Sequence, residues 1–223
     1  MKKIKKQITN NLIMVRPEHF DFNYETAENN HFQKKEKKLS KEKILRNAKN
    51  EFDNLYNRLI KNKINVNVFN DRKKVRTTDS VFPNNWISLH QDGSVYVYPM
   101  FSENRRKERR FDIIEKLKKQ FEIKRVIDLS YFEKESVFLE GTGSMILDRQ
   151  NKICYAALSD RTNLIALNDF CNRALYNPVT FKSYQKVEGK INLIYHTNVM
   201  MCVADKYAIC LLYTSDAADD TCC

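Results

Sequence analysis

Long apolar runs are absent from this chain of 223 residues. No run approaches the roughly 18 apolar residues that a membrane span needs. The N-terminus MKKIKKQ is basic, but the apolar run 12–15 that follows it is shorter than the signal-peptide core of about 7–15 residues. The sequence therefore predicts a cytoplasmic protein that neither spans a membrane nor is secreted.

Cysteine pairs and metal-binding patterns are also missing. The six cysteines show no CxxC motif, which favours reduced thiols; they are Cys154, Cys171, Cys202, Cys210, Cys222 and Cys223. No cluster of histidines and cysteines has zinc spacing. Gly141 and Gly143 are two of only four glycines, which suggests a backbone requirement. They do not form a phosphate loop, because no Lys-Ser/Thr follows. We expect neither a metal nor a cofactor.

Charge is present in excess but unevenly placed. The formal net charge is +11, and residues 1–80 hold 20 Lys/Arg against 10 Asp/Glu. The densest basic run, KKEKKLSKEK at 34–43, contains no aromatic residue. Nucleic-acid grooves interleave aromatic and basic side chains. The run therefore favours a solvated surface over a nucleic-acid site.

Helical and β-like segments alternate along the chain. Apolar residues recur at helical spacing in 44–60, 111–121 and 164–175. A β-like run follows each of them, at 64–69, 123–129 and 179–184. Strand–turn–strand patterns lie at 86–98, 144–158 and 199–209. The sequence predicts a recurring unit of hairpin, helix and strand.

The recurrence has a measurable period. Asn85, Glu140 and His196 each stand just before a hairpin, 55 and 56 residues apart. Arg105 and Arg161 each open the following helix and are also 56 residues apart. Equivalent positions in a closed ring of units converge on its axis. We therefore expect these side chains to lie close together.

Two of these residues are candidates for catalysis. His196 follows the apolar run 191–195, and its unperturbed pKa near 6.5 suits proton transfer. Glu140 ends another apolar run, where a carboxylate is costly unless it is paired. Glu140 is thus a candidate to orient an imidazole or to bind a cation. The alternatives are a structural histidine and a surface acid in a capped turn.

The segment 102–110 contains four arginines around a helix start. Arg105 or Arg106, together with Arg161, would suit a bidentate grip on a substrate carboxylate. For most of these arginines an exposed basic turn is the simpler interpretation.

Five segments carry a family resemblance: RPEHFDFNYETAENNHFQ (16–33), DSVFPNNWISLHQDGSVYVYPMFSENRRKERR (79–110), LEGTGSMILDR (139–149), LSDRTN (158–163) and YHTNVMMC (195–202). They resemble the citrulline-utilisation hydrolase branch of the amidinotransferase superfamily, which includes arginine deiminase and dimethylarginine dimethylaminohydrolase. The resemblance implies an α/β fold, the pentein propeller of five units, with about four units present. Residues 1–209 then form a single, incomplete domain.

The resemblance also implies roles. Glu140 and His196 match the catalytic carboxylate and histidine, and Arg105 or Arg106 with Arg161 matches the arginines that hold the substrate α-carboxylate. The implied reaction hydrolyses a C–N bond of an arginine-like amino acid through a cysteine nucleophile. Counting one period from His196 places that cysteine beyond residue 223. The chain as given is then expected to be inactive.

The last stretch, CLLYTSDAADDTCC at 210–223, does not resemble the family. Its composition is typical of a translated adapter sequence, and a natural acidic tail is the alternative. Cys202 and Cys210 lie in the fourth hairpin rather than at the nucleophile position, so we expect buried thiols there. The unpaired strand edges beside the missing unit are expected to be exposed and apolar.

Two asparagines bear on the substrate. Superfamily members that act on a guanidinium place aspartates before the second-unit hairpin and two residues after the histidine, and this sequence has Asn85 and Asn198 there. An uncharged amide can meet a neutral ureido group, which favours citrulline, hydrolysed to ornithine. Asp79, six residues before Asn85, is the alternative for the first aspartate. Both asparagines would otherwise satisfy backbone groups. Arginine or methylarginine hydrolysis, amidino transfer, non-catalytic ligand binding and nucleic-acid binding are the rival functions.

Overall fold

The computed structural model describes residues 7–27, 29–30, 32–35 and 38–211. The predicted tail at 210–223 therefore falls outside the described residues except for its first two. The helices are α1 (Tyr24–Ala27), α2 (Lys41–Lys61), α3 (Glu103–Arg106), α4 (Phe111–Lys118), α5 (Gly141–Ser144) and α6 (Leu164–Ala174). Short 3₁₀ turns cover Pro83–Asn85, Ser130–Glu135 and Thr197–Val199.

Twelve strands are found in the described part of the chain. They are β1 (Asn11–Arg16), β2 (Asn65–Asn70), β3 (Ile87–Leu89), β4 (Ser94–Val97), β5 (Arg125–Asp128), β6 (Ile146–Asp148), β7 (Ile153–Ala157), β8 (Asn177–Phe181), β9 (Tyr184–Val187), β10 (Lys190–Leu193), β11 (Met201–Val203) and β12 (Ala208–Cys210).

The predicted unit of hairpin, helix and strand occurs twice in full. Strands β3 and β4 form an antiparallel hairpin, α4 follows, and β5 returns parallel to β4. Strands β6 and β7, helix α6 and strand β8 repeat this arrangement. A parallel return requires a crossover, which each helix supplies. The mixed α/β architecture therefore follows from the repeat in the sequence.

Two further sheets contain only part of the hairpin–helix–strand unit. Strands β1 and β2 are parallel and are joined through α2, while β11 and β12 form a hairpin. The sheets are separate, and the described strands do not close into one sheet. The propeller and its four units out of five remain predictions.

One hairpin and one strand position differ from the expectation. Strands β9 and β10 form an antiparallel hairpin that the sequence pattern did not reveal. Strand β8 begins at Asn177 instead of residue 179 and includes Pro178. Because β8 is the edge strand of its sheet, a proline without an N–H group is tolerated there.

The core is built on both faces of β4, all four residues of which are buried. Val95 and Val97 pack into a cluster with Ile113 from α4. Tyr96 points to the opposite face and packs into a second cluster with Phe170 from α6. This alternation follows from the two-residue period of a strand. The β3–β4–β5 sheet is thus covered by its own helix, α4, on one face and by α6, the helix of the next unit, on the other.

Helix α2 is less covered than its pattern predicted. Its apolar side contributes no fully buried residue, and Leu55 and Ile60 are 51% and 44% exposed. The β1–β2 sheet beneath it has only two strands, so it offers the helix less surface than the three-stranded sheets.

No helix in the described residues is both long enough and apolar enough to cross a membrane.

The expectation of buried thiols in the fourth hairpin was wrong. Cys202 and Cys210 are exposed, because β11 and β12 pair only with each other in the described part of the chain. Ile209 and Leu211 are each 50% exposed at the same hairpin. This hairpin therefore exposes apolar side chains, as expected, whereas the missing unit beside it stays a prediction. Cys154 and Cys171 are buried in the core.

Candidate active site

Three short turns bring the candidate residues together. Asn85 ends the 3₁₀ turn Pro83–Asn85, Glu140 immediately precedes α5, and His196 immediately precedes the 3₁₀ turn Thr197–Val199. Each turn leads into the first strand of a hairpin. The Asn85 amide Nδ2 donates to the Glu140 backbone carbonyl at 3.5 Å. The structure therefore brings together the equivalent positions that the repeat predicted.

Glu140 and His196 form a buried pair at the centre of the site. The Glu140 Oε2 atom lies 2.7 Å from His196 Nε2. The other carboxylate oxygen, Oε1, accepts a hydrogen bond from the Phe101 backbone N–H at 3.0 Å. Glu140 is fully buried and His196 is 4% exposed. The carboxylate therefore fixes the imidazole through Nε2.

Two arginines face this pair. Arg105 Nη1 and Arg161 Nη1 lie 3.9 and 3.6 Å from Glu140 Oε2. Both arginines are almost fully buried. These residues are the pair that the 56-residue spacing singled out. Two guanidinium groups thus point at one buried carboxylate and offset its charge.

Arg106 does not join this cluster. Its Nε and Nη2 atoms donate to the carbonyls of Met100 and Phe101, and its guanidinium lies over the Phe138 ring. Because successive helical residues point in different directions, α3 directs only Arg105 towards Glu140. Of the two sequence candidates, only Arg105 therefore lies beside Glu140, and its role towards a substrate stays a prediction.

The charges shift the two titrating groups of the pair. Burial by itself raises the pKa of Glu140, but the hydrogen bond to His196 and the nearby arginines lower that pKa to about 2. Burial, together with the charges of Arg161 and Arg105, lowers the pKa of His196, although Glu140 opposes this shift. At neutral pH the site therefore contains an ionised carboxylate and a neutral imidazole, which can accept a proton.

An N-terminal loop, defined here as residues 22–27 and 29–30 and including the single-turn helix α1, packs against Arg161 and Asp79. Asn29 Oδ1 accepts from Arg161 Nε at 3.0 Å, and the Thr26 carbonyl accepts from Arg161 Nη2 at 3.1 Å. Asn23 Nδ2 donates to Asp79 Oδ2 at 2.6 Å. The candidate residues from sequence did not include this loop. Its asparagines lie within the resembling segment 16–33, which was the available signal.

Asp79 belongs to the arginine cluster. Its Oδ2 atom lies 3.7 Å from Arg105 Nε, and its backbone carbonyl accepts from Arg105 Nη2 at 3.5 Å. Asn85 is buried beside Glu140, whereas Asn198 is exposed. The two asparagines assigned to the substrate therefore differ in their surroundings. Asn198 forms no hydrogen bond through its side chain within the described residues.

Gly143 permits the close approach of Asn85 and His196. A Cβ atom on Gly143 would lie 2.2 Å from Asn85 Nδ2 and 2.8 Å from His196 Cε1. Gly141 has φ +48°, and its Cβ would lie 2.3 Å from the Asn84 carbonyl oxygen. Both positions therefore need glycine, which accounts for the pair in a chain with so few glycines.

The described residues contain no group of three histidine, cysteine, aspartate or glutamate side chains that could hold a metal ion. What they do contain is an acid–base pair beside two cations. Such a set can move a proton at His196 Nδ1, since Nε2 is held by Glu140, and can bind an anionic group through the arginines.

A family profile described as N,N dimethylarginine dimethylhydrolase, eukaryotic, matches residues 16–220. The chain belongs to this family, within the pentein superfamily. The prediction of an unrelated tail from residue 210 stays a prediction. No curated protein matches the chain.

Solved structures show the same fold. The N-terminal domain of ArgZ, an arginine dihydrolase of the ornithine–ammonia cycle in Cyanobacteria, was determined with bound substrate and superposes with a TM-score of 0.64 at 19% identity. The match covers 88% of this chain and 64% of that domain. AgrE with ornithine and NAD+ gives a TM-score of 0.64 at 19% identity, covering 90% of this chain and 26% of AgrE.

A dimethylarginine dimethylaminohydrolase adduct with 4-chloro-2-hydroxymethylpyridine gives a TM-score of 0.60 at 14% identity. That match covers 91% of this chain and 69% of the enzyme. This chain therefore spans about two thirds of the ArgZ domain and of this enzyme. Its mixed α/β fold is similar to the folds of both.

Proposed function

We propose that this chain carries the acid–base and substrate-binding residues of a C–N hydrolase that acts on arginine-like amino acids. The observation that carries the proposal is the buried Glu140–His196 pair, 2.7 Å apart, with Arg105 and Arg161 directed at it. Family membership supports the same reaction class. We also propose that the protein is cytoplasmic and uses no cofactor. Its proposed ligand is a small amino acid, and it is proposed to bind neither nucleic acid nor membrane.

The proposed reaction has two steps. A cysteine thiol gives its proton to neutral His196, and the thiolate attacks the central carbon of the substrate side chain. His196 then passes the proton to the departing amine as the C–N bond breaks. Water then attacks the thio-intermediate while His196 takes a proton from that water. The C–S bond breaks, and His196 gives this proton to the departing thiolate, which regenerates the thiol. Glu140 stabilises the imidazolium in both steps, because its carboxylate remains ionised.

The nucleophile of this proposal lies outside the described residues. Cys154 and Cys171 are buried in the core between β7 and α6, and Cys202 and Cys210 lie on the exposed last hairpin. Among the relatives, ArgZ was crystallised with substrate as a cysteine-to-serine mutant, and another variant of it holds a covalent reaction intermediate. The chain 1–223 is therefore proposed to be inactive. Turnover of citrulline or arginine by the purified chain would contradict this.

Citrulline is the proposed substrate. Asn85 lies at the site, and its uncharged amide can donate a hydrogen bond to the oxygen of a neutral ureido group. A positively charged guanidinium is not needed to pair with it. Asn198, although exposed, stands two residues from His196 and is proposed to contact the same group. Hydrolysis of the bond between the ureido carbon and the side-chain nitrogen would give ornithine and release the ureido carbon as carbamate.

Arginine or methylarginine hydrolysis is the second candidate. The family profile and the structural relatives are named for those substrates. Asp79 supplies a carboxylate next to Arg105 and is the alternative to Asn85 as the group that meets the substrate side chain. Amidino transfer and non-catalytic binding of a ureido or guanidino ligand are rival functions for the same residues.

The test is to extend the chain with the C-terminal unit of its native reading frame and to compare citrulline with arginine turnover. We expect citrulline to be preferred, and Asn85→Asp and Asn198→Asp to lower citrulline turnover. Asn177→Asp, an exposed change on β8, is the matched control. Preference of the unsubstituted protein for arginine, or unchanged citrulline turnover in both variants, would reject citrulline as substrate. No turnover of either substrate would reject the hydrolase.

A further inference from the structure

Arg105 and Arg161 are held in the same way, although by different elements. In each guanidinium the Nε and Nη2 edge is hydrogen-bonded to protein, and Nη1 is directed at Glu140. Neither Nη1 forms a hydrogen bond within the described residues; each lies 3.6–3.9 Å from the carboxylate. The two Nη1 groups are thus the donors of this pair of arginines that no hydrogen bond occupies in the described structure.

Glu108 is the residue that holds the outer edge of Arg105. Its Oε1 accepts from Arg105 Nε at 3.1 Å, and its Oε2 accepts from Arg105 Nη2 at 2.9 Å. The two residues lie three positions apart, Arg105 within α3 and Glu108 just beyond it. A bidentate carboxylate fixes the plane of a guanidinium as well as its position.

We propose that Glu108 is a positioning residue for substrate recognition: by holding the Nε–Nη2 edge of Arg105, it aims Nη1 at the substrate α-carboxylate. This inference rests on the proposed function, in which Arg105 binds that carboxylate. Glu108 itself touches neither Glu140 nor His196 through a hydrogen bond in the described structure.

Burying the Glu108 carboxylate costs folding free energy. Glu108 is 3% exposed, and it shares one arginine with Asp79 and Glu140. Burial raises the pKa of Glu108 to about 7, although Arg105 opposes this shift. A buried ion pair is often no more stabilising than apolar residues of similar volume. Glu108 is therefore better explained by the orientation of Arg105 than by stability.

Binding to the chain 1–223 tests the inference. L-Citrulline and N-carbamoylputrescine, which has the same ureido group but no carboxylate, are titrated by calorimetry against the unsubstituted protein and Glu108→Gln. We expect Glu108→Gln to weaken citrulline binding about tenfold, which is about 1.4 kcal/mol, and to change carbamoylputrescine binding less than twofold. Glu108→Asp retains the charge and should recover part of the citrulline affinity.

Glu103→Gln is the matched control, because Glu103 lies on the same helix, pairs with Arg106 and is exposed. It should leave both affinities unchanged. Equal weakening of both ligands by Glu108→Gln would indicate a structural role and overturn the inference, as would no effect on citrulline.

A crystal structure of Glu108→Gln separates this inference from the proposed function. We expect the Arg105 guanidinium to rotate and its Nη1 to move away from the 3.9 Å position beside Glu140 Oε2. An unmoved guanidinium would overturn the positioning role whatever the ligands do. If the unsubstituted protein binds neither ligand, the proposed function fails. The crystal structure of Glu108→Gln then decides by itself whether Glu108 positions Arg105.

Discussion

Replacing Glu140 by glutamine should be among the most destabilising single changes of a polar residue in this chain. The carboxylate is fully buried, and its surroundings lower its pKa from 4.5 to about 2. Since each pKa unit corresponds to about 1.4 kcal/mol, ionised Glu140 contributes about 3 kcal/mol to folding at pH 7. Glutamine keeps the size of the side chain but leaves Arg105 and Arg161 without this anion.

The pH dependence of this loss has a defined sign. Because the pKa of Glu140 is lower in the folded chain than in the unfolded chain, its contribution is complete above pH 4.5 and is lost as the pH falls towards 2. Urea unfolding at pH 7, 5 and 3 measures it. We expect Glu140→Gln to cost about 3 kcal/mol at pH 7, and less at pH 3.

Glu135→Gln removes the same charge from an exposed position and is the control. It should change the free energy of unfolding by less than about 0.5 kcal/mol. The reasoning is refuted if Glu140→Gln is as stable as the control at pH 7. It is equally refuted if the loss is the same at pH 3 and pH 7, because the effect would then not come from the ionised carboxylate.

Two further predictions concern glycine and cysteine. Gly143→Ala places a Cβ 2.2 Å from a buried amide, so thermal and urea unfolding should show a loss of about 3 kcal/mol. Gly189→Ala, which meets no atom within 4 Å but has φ +81°, should lose only about 1 kcal/mol, and equal losses would contradict the steric explanation. Exposed Cys202 and Cys210 should react with a thiol reagent in the native protein, and the two core cysteines only after denaturation. Peptide mass spectrometry assigns the labels, and early labelling of the core pair would count against the fold.

The repeat in the sequence predicted much of the fold, because hydrophobic periods are local properties. The hairpins at β3–β4 and β6–β7 and their following helices appear where the patterns indicated. The hydrophobic period could not predict which side chains are buried in the first and last sheets, β1–β2 and β11–β12. Cys202 is exposed and the apolar side of α2 is only partly covered, because burial depends on which neighbouring unit lies against them, and that is a tertiary property.

The sequence placed five polar side chains near one another, but it did not show their orientation. The 56-residue period marked Arg105, but the sequence left Arg106 open as the partner of Arg161 in a substrate grip. The directions of these two adjacent side chains are decided by Glu108 and by the carbonyls of Met100 and Phe101. Glu108 was itself overlooked, because a glutamate within a run of arginines has the pattern of a surface ion pair.

The repeated backbone position explains how such an unsymmetrical site arises from similar units. Asn85, Glu140 and His196 all lie at a short turn before a hairpin: Glu140 and His196 immediately precede their turns, and Asn85 ends its turn. The backbone therefore brings them together whatever their side chains are, and the residue type at each position supplies the chemistry. Gly143 sets the spacing, because a side chain there would separate Asn85 from His196. It follows that Asn85→Asp changes the charge presented to a substrate without moving the backbone. A bulkier residue at Gly143 would disrupt the geometry while leaving every polar group present.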